Sequence, residues 1–384
     1  MRTTIAAAFL ALAVSFPMPA DEPKTSRSEF QKARAAAEAN DAAAYLTHMQ
    51  AAMELEHDPM NRPVYQYNLA RAHALNGQVA ESLTALEAAW NERIEGPMIV
   101  YADVDPAFAT VRADARYARI RALFDALRID VAHAGGSVYE LTGAGCTIAA
   151  SIGSDGVLVV DSGYPRTTKS LVAAIKEKTK ENPRIRFIVN THGHFDHAAA
   201  NRDLGPTATI VAHPAAAEAM HRESDFLPGF PLPASPEAAQ PDVLTDTSLS
   251  IPFNGEQVHV IAVPAHTEGD VVVWFEKSRV LHMGDNYFGE ATTRLYPGKN
   301  PEPYYAAMER LLATVPDDAI VISGHASRVP AAKLKAAFQA SHAIFTHVRD
   351  ALAAGKSDEI IVRDGEAAGH PRPWIEHFIE TLPK

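Results

Sequence analysis

The sequence predicts a layered α/β domain placed behind an all-helical N-terminal segment. Three observations carry that prediction. Up to about residue 130 the chain is alanine-rich, with apolar positions at helical spacing. Beyond 131, short runs of β-branched residues alternate with helix-like stretches and glycine-bearing turns. Within that alternation, residues 191–197 read Thr-His-Gly-His-Phe-Asp-His, directly after an apolar, strand-like run.

The chain has 384 residues, 47% of them hydrophobic, enough for a large core and for two domains. Its formal net charge is −12, and no run of Lys and Arg exceeds two residues. That balance argues against a nucleic-acid or anionic-membrane partner, short of a local basic patch. Cys146 is the single cysteine, so no intrachain disulfide can form. Its apolar neighbours make it a buried structural thiol. The first 20 residues read as a secretory signal peptide: Arg2, an apolar stretch over 5–16, then Ala20 before Asp21-Glu22. The stretch is short for a bilayer and no other is longer, so stable membrane insertion is not expected. The expected location is secreted, periplasmic in a diderm bacterium.

Residues 21–130 form the expected helical domain. Phe30, Ala33, Ala37, Ala44 and Tyr45 keep helix-like spacing, broken by Asn40-Asp41. A second unit carries Tyr67, Leu69, Ala70 and Ala74, then Asn76-Gly77, then Leu83, Leu86, Ala89 and Trp90. The turn pairs lie 36 residues apart, near the roughly 34-residue period of tetratricopeptide repeats, which the segment resembles in degenerate form. Residues 103–127 are expected to continue as helix. The segment is either a module for a protein partner or self-association, or a helical packing domain with no partner of its own.

The second domain, 131–384, opens with three expected strands, at 137–142, 146–152 and 156–161, joined by Gly143-Ala-Gly145 and Gly153-Ser-Asp-Gly156. A helix over about 167–180 leads to a buried strand at 185–190. A helix is expected to start at about 198, then a strand at 208–212 and a helix at 214–221. Residues 226–242, with five prolines and Phe226, Leu227, Phe230 and Leu232, interrupt the alternation as a long loop. That loop is a lid, a cleft wall or a plain surface excursion. Strands resume at 258–263, 271–275, 280–283 and 319–322, with a helix at 301–314 and two C-terminal helices near 330–354 and 372–382.

The cluster His192, His194, Asp196 and His197 sits where a strand passes to a helix, a usual place for chemistry. Imidazole and carboxylate together are the ligand set of zinc and similar divalent ions. Neighbours 196 and 197 point apart, so the spacing suits two ions, one served by His192 and His194, the other by Asp196 and His197. A polar loop of solvated histidines is the plain alternative, and four ligand-type residues at this density speak against it.

Further downstream, Pro-Ala-His-Thr-Glu-Gly-Asp at 264–270, Met-Gly-Asp-Asn at 283–286 and Ser-Gly-His at 323–325 each follow a strand. The H-x-H-x-D-H cluster with these motifs in this order resembles the metallo-β-lactamase superfamily of metallohydrolases. The resemblance implies an αββα sandwich over about 131–384, with the site at one sandwich edge. It implies that His192, His194 and His266 hold one metal, that Asp196, His197 and His325 hold the second, and that Asp285 bridges both. It gives Asp161, Thr191 and Thr267 the role of orienting ligands by hydrogen bonding. Two ions sharing a water would lower its pKa from ~15.7 towards neutrality, and Asp196 would orient the resulting hydroxide. Zinc is the first choice for both ions, although iron and manganese also accept such ligands.

An aspartate at 285 favours a small-molecule ester, thioester, lactone or related substrate, because the familiar class B β-lactamases of that family carry cysteine or serine near this place. A true β-lactamase, or a scaffold protein with a structural metal site, are the alternatives. Only 39 residues separate Asp285 from His325, too few for the large insertion of the family's nucleases. Tyr287, Phe288 and Arg294 are the expected pocket residues, with Tyr296 and Lys299 nearby; an Arg or Lys there suits a substrate carboxylate. Tyr304 and Tyr305 are expected to pack.

Overall fold

The computed structural model describes residues 25–57, 62–91, 98–125, 128–227, 230–287 and 301–382. The expected signal peptide, and Phe288, Arg294, Tyr296 and Lys299 of the expected pocket, lie outside the described residues.

Two helical hairpins come first: α1 (Ser26–Glu38) with α2 (Ala42–Leu55), then α3 (Arg62–Leu75) with α4 (Val79–Asn91). The turns fall at the expected pairs. Asn40 and Gly77 both adopt positive φ, 56° and 71°, a conformation these two residue types reach at little steric cost. Asp41 then caps α2 by accepting from the Ala44 N–H. The helix expected over 103–127 is shorter than the spacing suggested: only α5 (Ala115–Asp125) is regular. Three 3-10 turns precede it, at Met98–Asp103, Pro106–Phe108 and Val111–Ala113. Pro106 has no N–H to continue a helical ladder, and the Asp105 side chain accepts from the Ala107 N–H instead.

The first sheet is built from β1 (Asp130–Gly135), β2 (Val138–Thr142), β3 (Ile148–Gly153), β4 (Gly156–Val160), β5 (Ile185–Val189), β6 (Thr209–Ala212) and β9 (Val243–Leu244), hydrogen-bonded in that order. It is antiparallel from β1 to β4 and parallel from β4 onward. Its crossovers contain α6 (Thr168–Thr179), α7 (Phe195–Ala198), α8 (Asn201–Leu204) and α9 (Pro214–Met220). The loop expected at 226–242 begins instead as a hairpin, β7 (Ser224–Leu227) with β8 (Phe230–Leu232), and ends in a 3-10 turn at Glu237–Ala239.

The second sheet runs β10 (Ser248–Phe253), β11 (Glu256–Ala262), β12 (Val271–Phe275), β13 (Val280–His282), β14 (Ile320–Ile322) and β15 (Val329–Pro330). Its outer helices are α10 (Pro301–Thr314), α11 (Ala331–Ala353), α12 (Asp358–Ala367) and α13 (Arg372–Thr381). Three C-terminal helices thus stand where two were expected. No helix among the described residues is long and apolar enough to cross a membrane.

Strand alternation explains the layers. Val271, Val273 and Phe275 of β12 point into the inter-sheet core with Val138, Leu158 and Val189. Val272 and Trp274 point the other way, into a core shared with Tyr304, Met308, Leu334, Phe345 and Phe378 of the outer helices. Every residue of β12 is therefore buried, and the strand is a continuous apolar run. On the far side, Val157 and Val159 of β4 pack with Leu171 and Ile175 of α6. The result is helix, sheet, sheet, helix: an αββα sandwich, with the strand ends along one edge.

Candidate metal centre

The site is anchored by Asp161, which follows β4 at a positive φ of 67°. For a non-glycine residue that conformation costs about 1–2 kcal/mol, and here it aims a fully buried carboxylate across to the turn after β5. Asp161 accepts from the Thr191 N–H at 2.7 Å, from Thr191 Oγ1 at 2.9 Å and from His197 Nδ1 at 2.8 Å. Those bonds fix two tautomers. A carboxylate only accepts, so His197 Nδ1 carries its proton. Thr191 spends its single hydroxyl hydrogen on Asp161, so its contact with His192 Nδ1 at 3.0 Å requires that ring nitrogen to donate as well. Both rings therefore present the Nε2 lone pair to the centre.

His194 caps α7, and its carbonyl accepts from the His197 and Ala198 N–H groups. That single helical turn carries Asp196 and His197 to a different side from His192 and His194. The structure brings all seven expected ligands together. His192, His194, His266 and Asp285 form one group of candidate ligand atoms within 4.8 Å of one another, and Asp196, His197 and His325 form another. In the first, His194 Nδ1 lies 2.9 Å from His192 Nε2 and 3.1 Å from His266 Nε2. In the second, His325 Nε2 lies 3.2 Å from His197 Nε2 and 3.1 Å from Asp196 Oδ2. Asp285 stands between them. Its Oδ2 is 3.8 Å from His192, 3.6 Å from His266 and 3.3 Å from His325, and its Oδ1 is 3.2 Å from His197 Nε2.

These residues fit a divalent cation. Asp285 Oδ1 is buried without a hydrogen-bond partner, and the His197 lone pair faces it. Two electron-rich atoms at that distance repel unless a proton or a metal lies between them. Burial pushes His197 and His325 down, but the surrounding carboxylates, Asp285 foremost, outweigh it and raise both well above the usual imidazole range. Without metal a proton thus fills the gap, in the place a cation takes. Burial leads in the other group: with the neighbouring histidines it outweighs Asp285, pushing His192 well down and His266 to about 4 and leaving neutral rings suited to ligation. Asp196 is raised by burial, but His197 and His325 bring it to about 2, so it stays ionised.

Residues not singled out in the sequence hold the remaining ligands. Asp270 accepts from the Ala265 and Thr267 N–H groups and from Thr267 Oγ1, fastening the turn that carries His266. Burial pushes this carboxyl up to about 7 against those three bonds. Asn286 accepts from the His266 N–H and donates to the Val263 carbonyl, tying the 266 turn to the 285 turn. His282 links the Thr147 carbonyl to the Gly284 N–H. Gly324 backs Asp285: a Cβ there would overlap Asp285 Oδ1 and come within 2.9 Å of His197 Cε1. The Thr–x–x–Asp spacing at 267–270 is the one signal that could have exposed Asp270. Tyr287, expected in a pocket, is 2% exposed and belongs to the core with Tyr304 and Tyr305. Cys146 is buried close to His197 and Asp161, a neighbour of the centre as well as a core residue.

Histidine and aspartate ligands converging at strand ends on the edge of an αββα sandwich define a metalloprotein of one particular architecture. Residues 146–325, from Cys146 to the last ligand, match the family model described as the metallo-beta-lactamase superfamily. The segment that carries every candidate ligand thus has the signature of that superfamily. Similar curated proteins include the 2,4-dinitroanisole O-demethylase subunit alpha of Nocardioides sp. (strain JS1661), 27% identical over 57% of this chain and 64% of the relative. A probable hydroxyacylglutathione hydrolase of Schizosaccharomyces pombe is 24% identical over 44% of this chain and 57% of the relative. The hydroxyacylglutathione hydrolase of Methylococcus capsulatus is 30% identical over 37% of this chain and 48% of the relative. The chain thus spans between about half and two-thirds of the length of these relatives.

Proposed function

We propose that this protein is a hydrolase that works with two divalent ions, zinc by its ligand set, on an ester, thioester, lactone or related bond of a small molecule. His192, His194 and His266 would hold one ion, Asp196, His197 and His325 the other, with Asp285 between them. The observation that carries this reading is Asp285: one buried carboxylate faces both histidine groups within 3.2–3.8 Å. Bound there, the ions would supply Lewis acidity and a water acidified towards neutrality.

The chain's own residues supply the rest. Asp161 and Thr191 keep His197 and His192 in the tautomers that point Nε2 inward. Asp196, whose side chain is 18% exposed beside the second group, orients the attacking water and accepts its proton. Thioesters are the first bonds to test, supported by Asp285 and by relatives named hydroxyacylglutathione hydrolase. Export through the N-terminal signal belongs to the same proposal, supported by Arg2, the apolar stretch 5–16 and Ala20. So does a tetratricopeptide-like role for the two N-terminal hairpins in binding a protein partner or a second copy, supported by their 36-residue turn spacing.

The test is a hydrolysis panel with zinc-loaded protein: a glutathione thioester, a lactone, an aryl ester and a chromogenic cephalosporin, each with and without chelator. The expected result is a chelator-sensitive kcat/KM above ~10⁴ M⁻¹s⁻¹ on one of the first three, lost in a His194→Ala variant that stays folded. Turnover of the cephalosporin alone would make this a β-lactamase. If no substrate turns over and His194→Ala loses stability instead, the metal is structural.

A further inference from the structure

Tyr101 lies in the N-terminal segment, 91 positions before His192 in the chain, yet it packs against the metal loop. Its ring sits 5.5 Å from that of Phe195, the residue between His194 and Asp196, and 5.8 Å from that of Tyr164. Tyr164 and Phe195 close the triangle at 5.9 Å. The two tyrosine hydroxyls share a hydrogen bond, and the Asp196 carboxylate is close enough, after burial itself, to push both further up. The core of the helical segment, with Tyr67, Phe108, Tyr117 and Ile120, therefore continues without a break into Tyr164 and Leu232 of the sandwich.

The contact is firmly held on both sides. Behind Tyr101, its carbonyl accepts from the Val104 and Asp105 N–H groups. Arg112 grips the Ala102 and Asp105 carbonyls at 2.9 and 2.7 Å. Buried Asp105 is paired with Arg71 at 2.8 Å. Next to Tyr101, Asp103 accepts from Tyr117 and pairs with Arg166 of the sandwich. In front, Tyr164 belongs to the 161–167 segment that wraps α7. There Asp161 holds the His197 ring, Ser162 donates to the His197 carbonyl, and the Ala200 N–H donates to the Gly163 carbonyl.

We infer that the N-terminal helical segment is a structural part of the metal centre, and that Tyr101 is a positioning residue that sets α7, and with it Asp196 and His197, for the second ion. The inference rests on the two-ion reading above. It predicts an asymmetry. The segment touches the loop at Phe195, and α7 carries two of the three histidine and aspartate ligands of the second group, Asp196 and His197, but only the cap residue His194 of the first; His266, with its Asp270 and Asn286 supports, lies on the other sheet. Loss of the Tyr101 ring should therefore loosen one ion and spare the other. The hydroxyl matters less than the ring, because packing against Phe195 is what transmits the position.

The experiment titrates zinc into metal-free full-length protein against a chelating indicator, for wild type, Tyr101→Ala and Tyr101→Phe. Wild type should bind two ions. Tyr101→Ala should bind one with unchanged affinity and the other about 10–100-fold more weakly, the usual cost of losing an outer support. Tyr101→Phe should restore the second ion to within a few-fold of wild type. Two ions bound by Tyr101→Ala at wild-type affinity would overturn the inference. So would equal weakening of both ions, which marks a general structural defect. If Tyr101→Ala does not fold, Arg166→Gln cuts the same contact at its rim, and the same selective weakening of one ion decides the matter. Fewer than two ions on wild type would defeat the two-ion reading itself, a result distinct from either.

Discussion

His194 and His266 meet solvent at the mouth of the centre, whereas His197 is fully buried with its ring pinned by Asp161. In the first group His192 is as buried as His197 and fixed at its ring by Thr191, whereas Asp270 and Asn286 set the backbone of the 266 turn. In the second group His197 is gripped at its ring by Asp161, backed by Gly324, and reached from behind by the N-terminal segment. The difference teaches that a symmetric-looking ligand set can have unequal rigidity. The buried rings of His192 and His197 are set in advance, while His194 and His266 lie nearer to solvent. Only Asp285 belongs to both.

That comparison is most easily broken at Asp285. An Asp285→Ala variant should lose both the link between the groups and the repulsion that a cation relieves. Steady-state hydrolysis should fall by roughly 10³-fold, the order seen when one electrostatic stabiliser of a reaction is removed. A fall below ten-fold would mean the groups work independently.

Gly324→Ala should be next. Its methyl group overlaps Asp285 Oδ1 and crowds His197, at about 1–3 kcal/mol of overpacking. Thermal unfolding should show that loss, and zinc titration should show the second ion weakened before the first.

Asp161→Asn keeps the shape but can no longer accept from every donor around it. The His197 ring should lose its fixed tautomer and the second ion about 10–100-fold in affinity. An equal effect on the first ion would contradict the division drawn here, apart from the share that passes through Thr191 to His192. Asp270→Ala sharpens the same comparison from the other side. It should weaken only the ion held by His266, by about ten-fold at the lower end of that range, with the second ion unchanged in the same titration.

The ligands were legible in the sequence because few other jobs call for three histidines and an aspartate within six residues. The later ligands followed from motif order at strand ends. The strands of the inter-sheet core were legible as apolar, β-branched runs, since both their faces are covered. The edges were less so. The strand at 248–253 contains Pro252, and an edge strand tolerates the missing donor that would disqualify a central one. The helix at 358–367 buries Ile361, Val362 and Gly365 in an otherwise charged run, too thin a stripe to stand out. Asp270, Asn286 and His282 are ordinary polar residues whose importance arises only when turns from separate strands meet. Tyr101 stood outside the elements expected from the sequence, which could not show that it packs against the metal loop. Tyr287 erred in the opposite direction, because adjacency to Asp285 suggested a cleft where the chain turns back into the core.

The most direct test of the central claim follows hydrolysis of a glutathione thioester while zinc is added stepwise to metal-free protein. The account expects a rate that rises with added zinc and levels off at two equivalents per chain, with Asp285→Ala flat throughout. Two bound equivalents with no hydrolysis of the thioester, the lactone or the aryl ester, or a rate that does not depend on zinc at all, would contradict it.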